Sequence, residues 1–461
     1  MSKVGSEESK VQNLVCREAW STEVGSPMNR RIQTHDSQKV RALAPLRDFL
    51  HRESAGAVLL AFGAILALVW SNSPWSASYE SLWNSRIALT IAGHSLDLDL
   101  RHWVNDGLMT IFFFVVGLEI KREVTSGHLS DRRAALLPGL AAIGGMLIPA
   151  LIYLAIAGSS APRGWAIPVA TDIALAVGVI SVMGKRVPTS IRAFLLGLAI
   201  VDDIGAIIII AAVYSTGVSF GWLLVSIIGV SAAVVARRLG MQSVLLYVAI
   251  GVSIWLGLYQ GGVHPTLAGV TMGLLTPSVV RKQTDFVDVE ELSESSSSVD
   301  LESLGSKAKD SVSVVEWLQH ILHPWTSFLI VPVFALANSG IHISLNGLRD
   351  AAGSAVTWGV FFGLLLGKPL GVVIATRAAV RSGISDSPAG STTRQILGAG
   401  MAAGIGFTVA IFITKLALTD PIQQENAKLA ILLSSVVAAG LAMLLLKSPA
   451  SRVATKLHEQ S

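Results

Sequence analysis

Two adjacent carboxylates, Asp202 and Asp203, stand in the run LAIVDDIGAIIIIA, residues 198–211, where every other residue is apolar or glycine. A charged side chain at the centre of a membrane-spanning helix costs about 2.5–3.5 kcal/mol on insertion scales. Two in succession therefore point to a site. Carboxylate oxygens suit protons or a small hard cation such as Na+ or Li+ far better than a soft metal. A protonated carboxylate loses the charge that attracts a cation, so proton and cation compete for the same oxygens. Coupled exchange follows from that competition when only the loaded states reorient, and acid should stall it.

Further residues belong with this pair. ATDIALAVG follows Pro168 and places Thr171 and Asp172 within another oily run, and LLGKPLG places Lys368 in a third. Adjacent helical positions point about 100° apart, so Asp202 and Asp203 face different surroundings. One can face an aqueous funnel while its neighbour meets a partner helix, and Lys368 is the lysine placed to be that partner. GIGFTVAIF interrupts an apolar run with Gly404 and Gly406. Such glycines serve either close helix packing or a real break. A break exposes positive partial charge at half-helix N-termini and negative at C-termini. Asp172 could balance the former and Lys368 the latter, and Pro369 deprives a carbonyl of its normal donor. Asp106, Glu119, His264 and Lys415 are further ionisable residues within apolar runs; Glu119 and Lys415 lie near run ends, where long side chains can snorkel.

The elements that position these residues follow from composition. The chain of 461 residues is 52% hydrophobic and only 14% charged, well below the quarter typical of soluble domains. Runs long enough to cross about 30 Å of hydrocarbon recur along it. They lie near 54–70, 103–118, 134–157, 165–183, 191–214, 222–236, 244–258, 263–276, 321–341, 355–375, 395–418 and 427–446. The expected fold is thus an all-α polytopic membrane protein of about twelve transmembrane helices. Basic residues cluster in alternate connections, including Lys121, Arg122, Arg132 and Arg133, then Lys185, Arg186 and Arg192, and later Arg377, Arg381 and Arg394. The positive-inside rule then puts both termini in the cytoplasm, in keeping with an even number of spans.

Residues 1–47 read as a disordered cytoplasmic tail, 48–446 as the transmembrane domain and 447–461 as a cytoplasmic C-terminal tail. Residues 87–100, IALTIAGHSLDLDL, alternate apolar and polar around Gly93-His94 and read as an outer-face β-hairpin. That hairpin is either a cap or an edge that pairs with a second copy. Residues 278–316 include a Ser-rich acidic stretch that reads as a flexible cytoplasmic loop. The formal net charge of +4 reflects bases that flank the spans and implies no nucleic acid, and the single cysteine, Cys16, excludes an internal disulfide framework. No cofactor is expected.

Together GWAIPVATDIALAVGV, LAIVDDIGAIIIIA, GLEIKRE, GGVHPTLAGV, LLGKPLG and GIGFTVAIF resemble the NhaA-type sodium/proton antiporter family, in that family's order, from about Asp48 to Leu446. The resemblance implies twelve helices with cytoplasmic termini in the cell inner membrane. It implies an inverted repeat of spans three to five against ten to twelve, with the fourth and eleventh unwound where they cross. It also implies pH-regulated, electrogenic export of Na+ or Li+ in exchange for protons. Asp203 would be the central cation- and proton-binding residue, Asp202 its neighbour and partner of Lys368, and Thr171 an accessory ligand. Asp172 and Lys368 would balance the broken-helix dipoles. The hairpin would make a homodimer. Glu119, Glu123 and His264 would serve pH response. His320 and His323 match as well, although Gln319 stands where the family's pattern has a glutamate.

Two other readings stand beside this one. A sodium-coupled organic-solute symporter would share the architecture, although no polar cluster for an organic anion appears within the spans apart from Lys368. An intramembrane aspartyl protease needs two aspartates facing one water, but the chain lacks GxGD and Tyr-Asp motifs.

Overall fold

The computed structural model describes residues 54–447 apart from 92–93, 128–129, 131, 216, 242 and 278–313. The N-terminal tail, most of the Ser-rich acidic loop and the C-terminal tail beyond Lys447 lie outside the described residues.

In chain order the structure begins with helices α1 (Ser54–Ser71) and α2 (Ser76–Trp83) and strands β1 (Arg86–Ile91) and β2 (His94–Asp99). Helices α3 (Leu100–Thr125) and α4 (Arg132–Ala157) follow. A 3-10 segment, Pro162–Val169, leads through a non-helical stretch to α5 (Ile173–Met183) and then α6 (Thr189–Val213). Next come α7 (Phe220–Arg238), α8 (Val244–Gln260), α9 (Thr266–Leu275) and α10 (Val314–Asn338). The chain continues through α11 (Leu345–Gly353), α12 (Ala355–Arg381), α13 (Thr393–Ala403), α14 (Phe407–Ala417) and α15 (Pro421–Leu446).

Each of the apolar runs read from the sequence falls on a helical element. Among the described residues, eight helical stretches are long and apolar enough to cross a bilayer, counting Pro162–Met183 as one. Two bent pairs raise the number to ten if each is a single span: α1 with α2, bent by 118°, and α13 with α14, bent by 49°. Helices α8 and α9, of 17 and 10 residues, reach only about 26 and 15 Å at 1.5 Å per residue. The protein is therefore a helical multi-pass membrane protein.

Its surface confirms the solvent. Val58, Phe62, Ile65 and Val69 recur every three or four residues on α1 and are exposed, as are Leu224, Ile227, Ile228 and Val235 on α7. Such stripes face lipid, whereas the interior holds small and polar residues. Glycines let backbones approach: a Cβ on Gly144 of α4 would lie 2.5 Å from the Gly371 carbonyl of α12. One residue on, a Cβ at Gly145 would sit 3.9 Å from Lys368 Cε, so this crossing also fixes where Lys368 enters the core.

Proline shapes the backbone at the same place. Pro369 has no N–H for the Leu365 carbonyl, and the turn just before it, Gly363–Gly367, is π-helical. A second π-helical turn, Trp103–Leu108, carries Asp106. Asp99 caps the start of α3, accepting from His102 N at 2.7 Å. Strands β1 and β2 pair antiparallel with Ile91 opposite His94, so His94 belongs to β2 and not to the turn that the sequence pattern centred on Gly93-His94. Beside the hairpin, Tyr79 of α2 donates to the Leu336 carbonyl at 2.8 Å and accepts from Gly340 N at 3.2 Å. The sharply turned α2 thus closes the C-terminus of α10.

Candidate functional site

The two interrupted segments are bonded to each other at their breaks. Asp172 N donates to the Ile405 carbonyl at 2.6 Å, and Thr171 Oγ1 donates to the Ala403 carbonyl at 2.8 Å. Ala403 is the last residue of α13 and Ile405 lies in the gap before α14, so the glycine pair does mark a real interruption.

One carboxylate serves both new helix starts. Asp172 Oδ1 accepts from Leu175 N at 3.1 Å, capping α5. Its Oδ2 accepts from Thr408 N at 3.0 Å and Thr408 Oγ1 at 2.7 Å, at the first turn of α14. An acidic group at a helix N-terminus satisfies orphan N–H donors and opposes the positive end of the dipole; Asp172 does so twice. At 2% exposure it is sealed from solvent.

Lys368 reaches the opposite polarity. Its Nζ donates to Asp202 Oδ2 at 2.6 Å and also to the Val169 carbonyl, at the C-terminal end of the 3-10 segment. The side chains of Lys368 and Asp202 are both fully buried. Losing either partner would leave a buried charge uncompensated, the costly outcome for such pairs.

Asp203 is treated differently. It retains 7% exposure, and its buried Oδ1 accepts no hydrogen bond among the described residues. The charges around it belong to Asp202, Glu119, Lys368 and Asp172. Thr171 lies against the Asp202 carboxylate from the neighbouring segment. The arrangement offers oxygens only, and one carboxylate among them has no protein donor.

The structure thus brings together Thr171, Asp172, Asp202, Asp203 and Lys368, with Glu119 within electrostatic reach of Asp203. The remaining residues singled out in the sequence stand apart. Glu123 is buried on α3 and pairs with Arg122 at 3.2 Å. His264, just before α9, packs edge-on against Phe412 with ring centroids 6.1 Å apart. His320 and His323 are exposed on α10, while Gln319 between them and the core is buried. Thr408 was not singled out. Its signal was its place two residues after the Gly404–Gly406 interruption, where a hydroxyl suits a helix start.

A multi-pass helical protein with a paired lysine and aspartate beside an unsatisfied carboxylate, held between two interrupted helices, is a membrane transporter of small ions. The chain belongs to the Na+/H+ antiporter 1 family, which it matches over residues 47–446. It is 44% identical over 422 residues to "Na(+)/H(+) antiporter NhaA 2" of Sorangium cellulosum, covering 87% of this chain and 88% of that protein. It is 43% identical over 416 residues to "Na(+)/H(+) antiporter NhaA 2" of Myxococcus xanthus, covering 87% and 88%. With "Na(+)/H(+) antiporter NhaA" of Oleidesulfovibrio alaskensis it shares 42% over 416 residues, covering 86% and 92%. These relatives are named as transporters and not as enzymes.

Proposed function

We propose that the chain exports Na+ or Li+ in exchange for protons, with cation and protons competing for the oxygens of Asp202 and Asp203. The observation that carries this reading is the unequal state of the two carboxylates. Asp202 is held through its Oδ2 by Lys368 at 2.6 Å, while its Oδ1 has no donor among the described residues. The Asp203 side chain has no hydrogen-bond or ion-pair partner at all among those residues. An ionised carboxylate in that setting needs a positive partner, and a proton and a small cation supply it by turns. Thr171 adds an accessory oxygen. A cation drawn to both carboxylates displaces the proton of Asp203 and competes with Lys368 for Asp202. Release of a further proton from the lysine side makes the exchange electrogenic, more protons entering than cations leaving.

The printed names of the relatives support the same exchange. In this reading α8 and α9 are also spans, which gives twelve crossings with both termini in the cytoplasm of the inner membrane. Helix α4, the segment of Asp172 and α6 form one repeat; α12, the α13–α14 segment and α15 form its inverted counterpart. Asp172 and Lys368 balance the ends of the interrupted helices. Glu119, Glu123 and His264, with His320 and His323, tune the pH range.

Everted membrane vesicles test the exchange. Adding Na+ or Li+ without organic solute should collapse a preformed pH gradient, and Asp203→Asn should abolish that response. On the acid side, the apparent KM for Na+ should rise about tenfold per pH unit for each proton displaced. Sodium affinity indifferent to pH, or turnover surviving Asp203→Asn, overturns the reading.

A further inference from the structure

Lys415 lies on α14, two turns beyond the Thr408 that meets Asp172. Seven residues bring a helix back to nearly the same face about 10 Å further on. The face that meets the Asp172 centre therefore carries an ammonium group towards the hairpin end of the bundle. Between the two, Phe412 packs against Phe113 of α3 with centroids 5.7 Å apart. Helix α3 starts at the hairpin and runs the other way, so Asp106, seven residues before Phe113, stands on the Lys415 side of that aromatic contact. Asp106 and Asp99 are the carboxylates within electrostatic reach of Lys415, and His264 and the cations Arg101 and Lys428 also face it. Lys415 is half-buried, yet among the described residues it makes no hydrogen bond and no ion pair within 4.0 Å. Snorkelling to lipid would leave Asp106 to face the interior uncompensated.

The geometry points to Lys415 as a tethered counter-ion beside Asp106 that keeps the hairpin-end mouth of the pathway from retaining Na+, and so sets the low affinity of that mouth for the cation. The inference rests on the exchange proposed above. A fixed positive charge opposes a mobile one in the same low-dielectric space and, without a direct ion pair, offsets the field of the carboxylate that would otherwise bind it. Lys415 is thus a specificity-determining residue for release, placed outside the Asp202–Asp203 centre.

Purified protein reconstituted in one orientation separates the two faces. In Lys415→Gln, the apparent KM for Na+ presented at the hairpin face should fall about three- to tenfold. KM at the opposite face should stay at the wild-type value. Lys415→Arg should behave as wild type, and adding Asp106→Asn to Lys415→Gln should return the hairpin-face KM towards wild type. Should Lys415→Gln fail to reconstitute, Lys415→Met carries the same expectations. An unchanged hairpin-face KM, an equal change at both faces, or no reversal by Asp106→Asn overturns the inference while leaving the exchange intact. Absence of Na+-driven proton movement in the wild type overturns both.

Discussion

At the scale of single residues, the interior is organised by which oxygen atoms have donors. Asp172 has three, Asp202 has Lys368 on Oδ2 and none on Oδ1, and Asp203 has none among the described residues. Asp172 joins the two interrupted segments, and Asp202 and Asp203 are the pair for which cation and proton are proposed to compete. The Thr408 hydroxyl is the most removable of these donors. Thr408→Val should destabilise the protein by about 1.5–3 kcal/mol, the range for a hydrogen bond to a charged group, read as a lower midpoint of thermal unfolding in detergent. Thr408→Ser, which keeps the hydroxyl, should remain close to wild type. The acidic pair, Asp172 and Lys368 were legible in the sequence because an ionisable group in an oily run is conspicuous. Thr408 and the carbonyls of Val169, Ala403 and Ile405 were not. Hydroxyls are common in spans, and the direction of a backbone carbonyl is decided only when two distant segments meet.

At the scale of elements, apolar run length located the long helices but neither the short α2 nor the short α11, and not every bend. The stretch SNSPWS at residues 71–76 ends the apolar run with turn-forming residues, but it does not give the 118° angle between α1 and α2. The run read at 263–276 is longer than the ten-residue α9 because it counts Val263, His264 and Pro265, which precede the first helical turn. The glycine-mediated contact of α4 with α12 is equally silent, since glycine counts say nothing of partners. It is sensitive to one methyl group: a Cβ at Gly371 would run into the Gly144 carbonyl. Gly371→Ala should force the helices apart, costing about 1–3 kcal/mol, and lower exchange activity by shifting Lys368 from Asp202. Gly440→Ala, where a Cβ meets nothing within 4 Å, is the matched control and should leave both thermal midpoint and exchange unchanged.

At the scale of the whole molecule, the two-stranded sheet is the feature that the bundle does not need for its own packing. Six paired positions, from Arg86–Asp99 to Ile91–His94, leave both outer edges of the ribbon without strand neighbours. An isolated hairpin of this kind is marginal in water, and a second copy is the expected partner. We propose such a dimer: light scattering in mild detergent should give two copies for the full chain and one after residues 87–98 are replaced by a short Gly-Ser linker, while vesicle exchange persists. A dimer that survives the replacement removes the hairpin from the interface. The sequence alternation located this ribbon, but pairing between copies leaves no mark in a single chain's hydropathy.

The shared carboxylate of Asp172 also sets a schedule for biogenesis. Its bonds to Thr408 link residues 236 positions apart, a length that a ribosome takes about 10–50 s to add at ordinary elongation rates. Throughout that interval the first interrupted helix is already synthesised, with its buried acid waiting for a donor not yet made. Insertion of this chain therefore passes through an obligatory half-built state, the stage at which translocon-associated chaperones and membrane proteases have most to recognise.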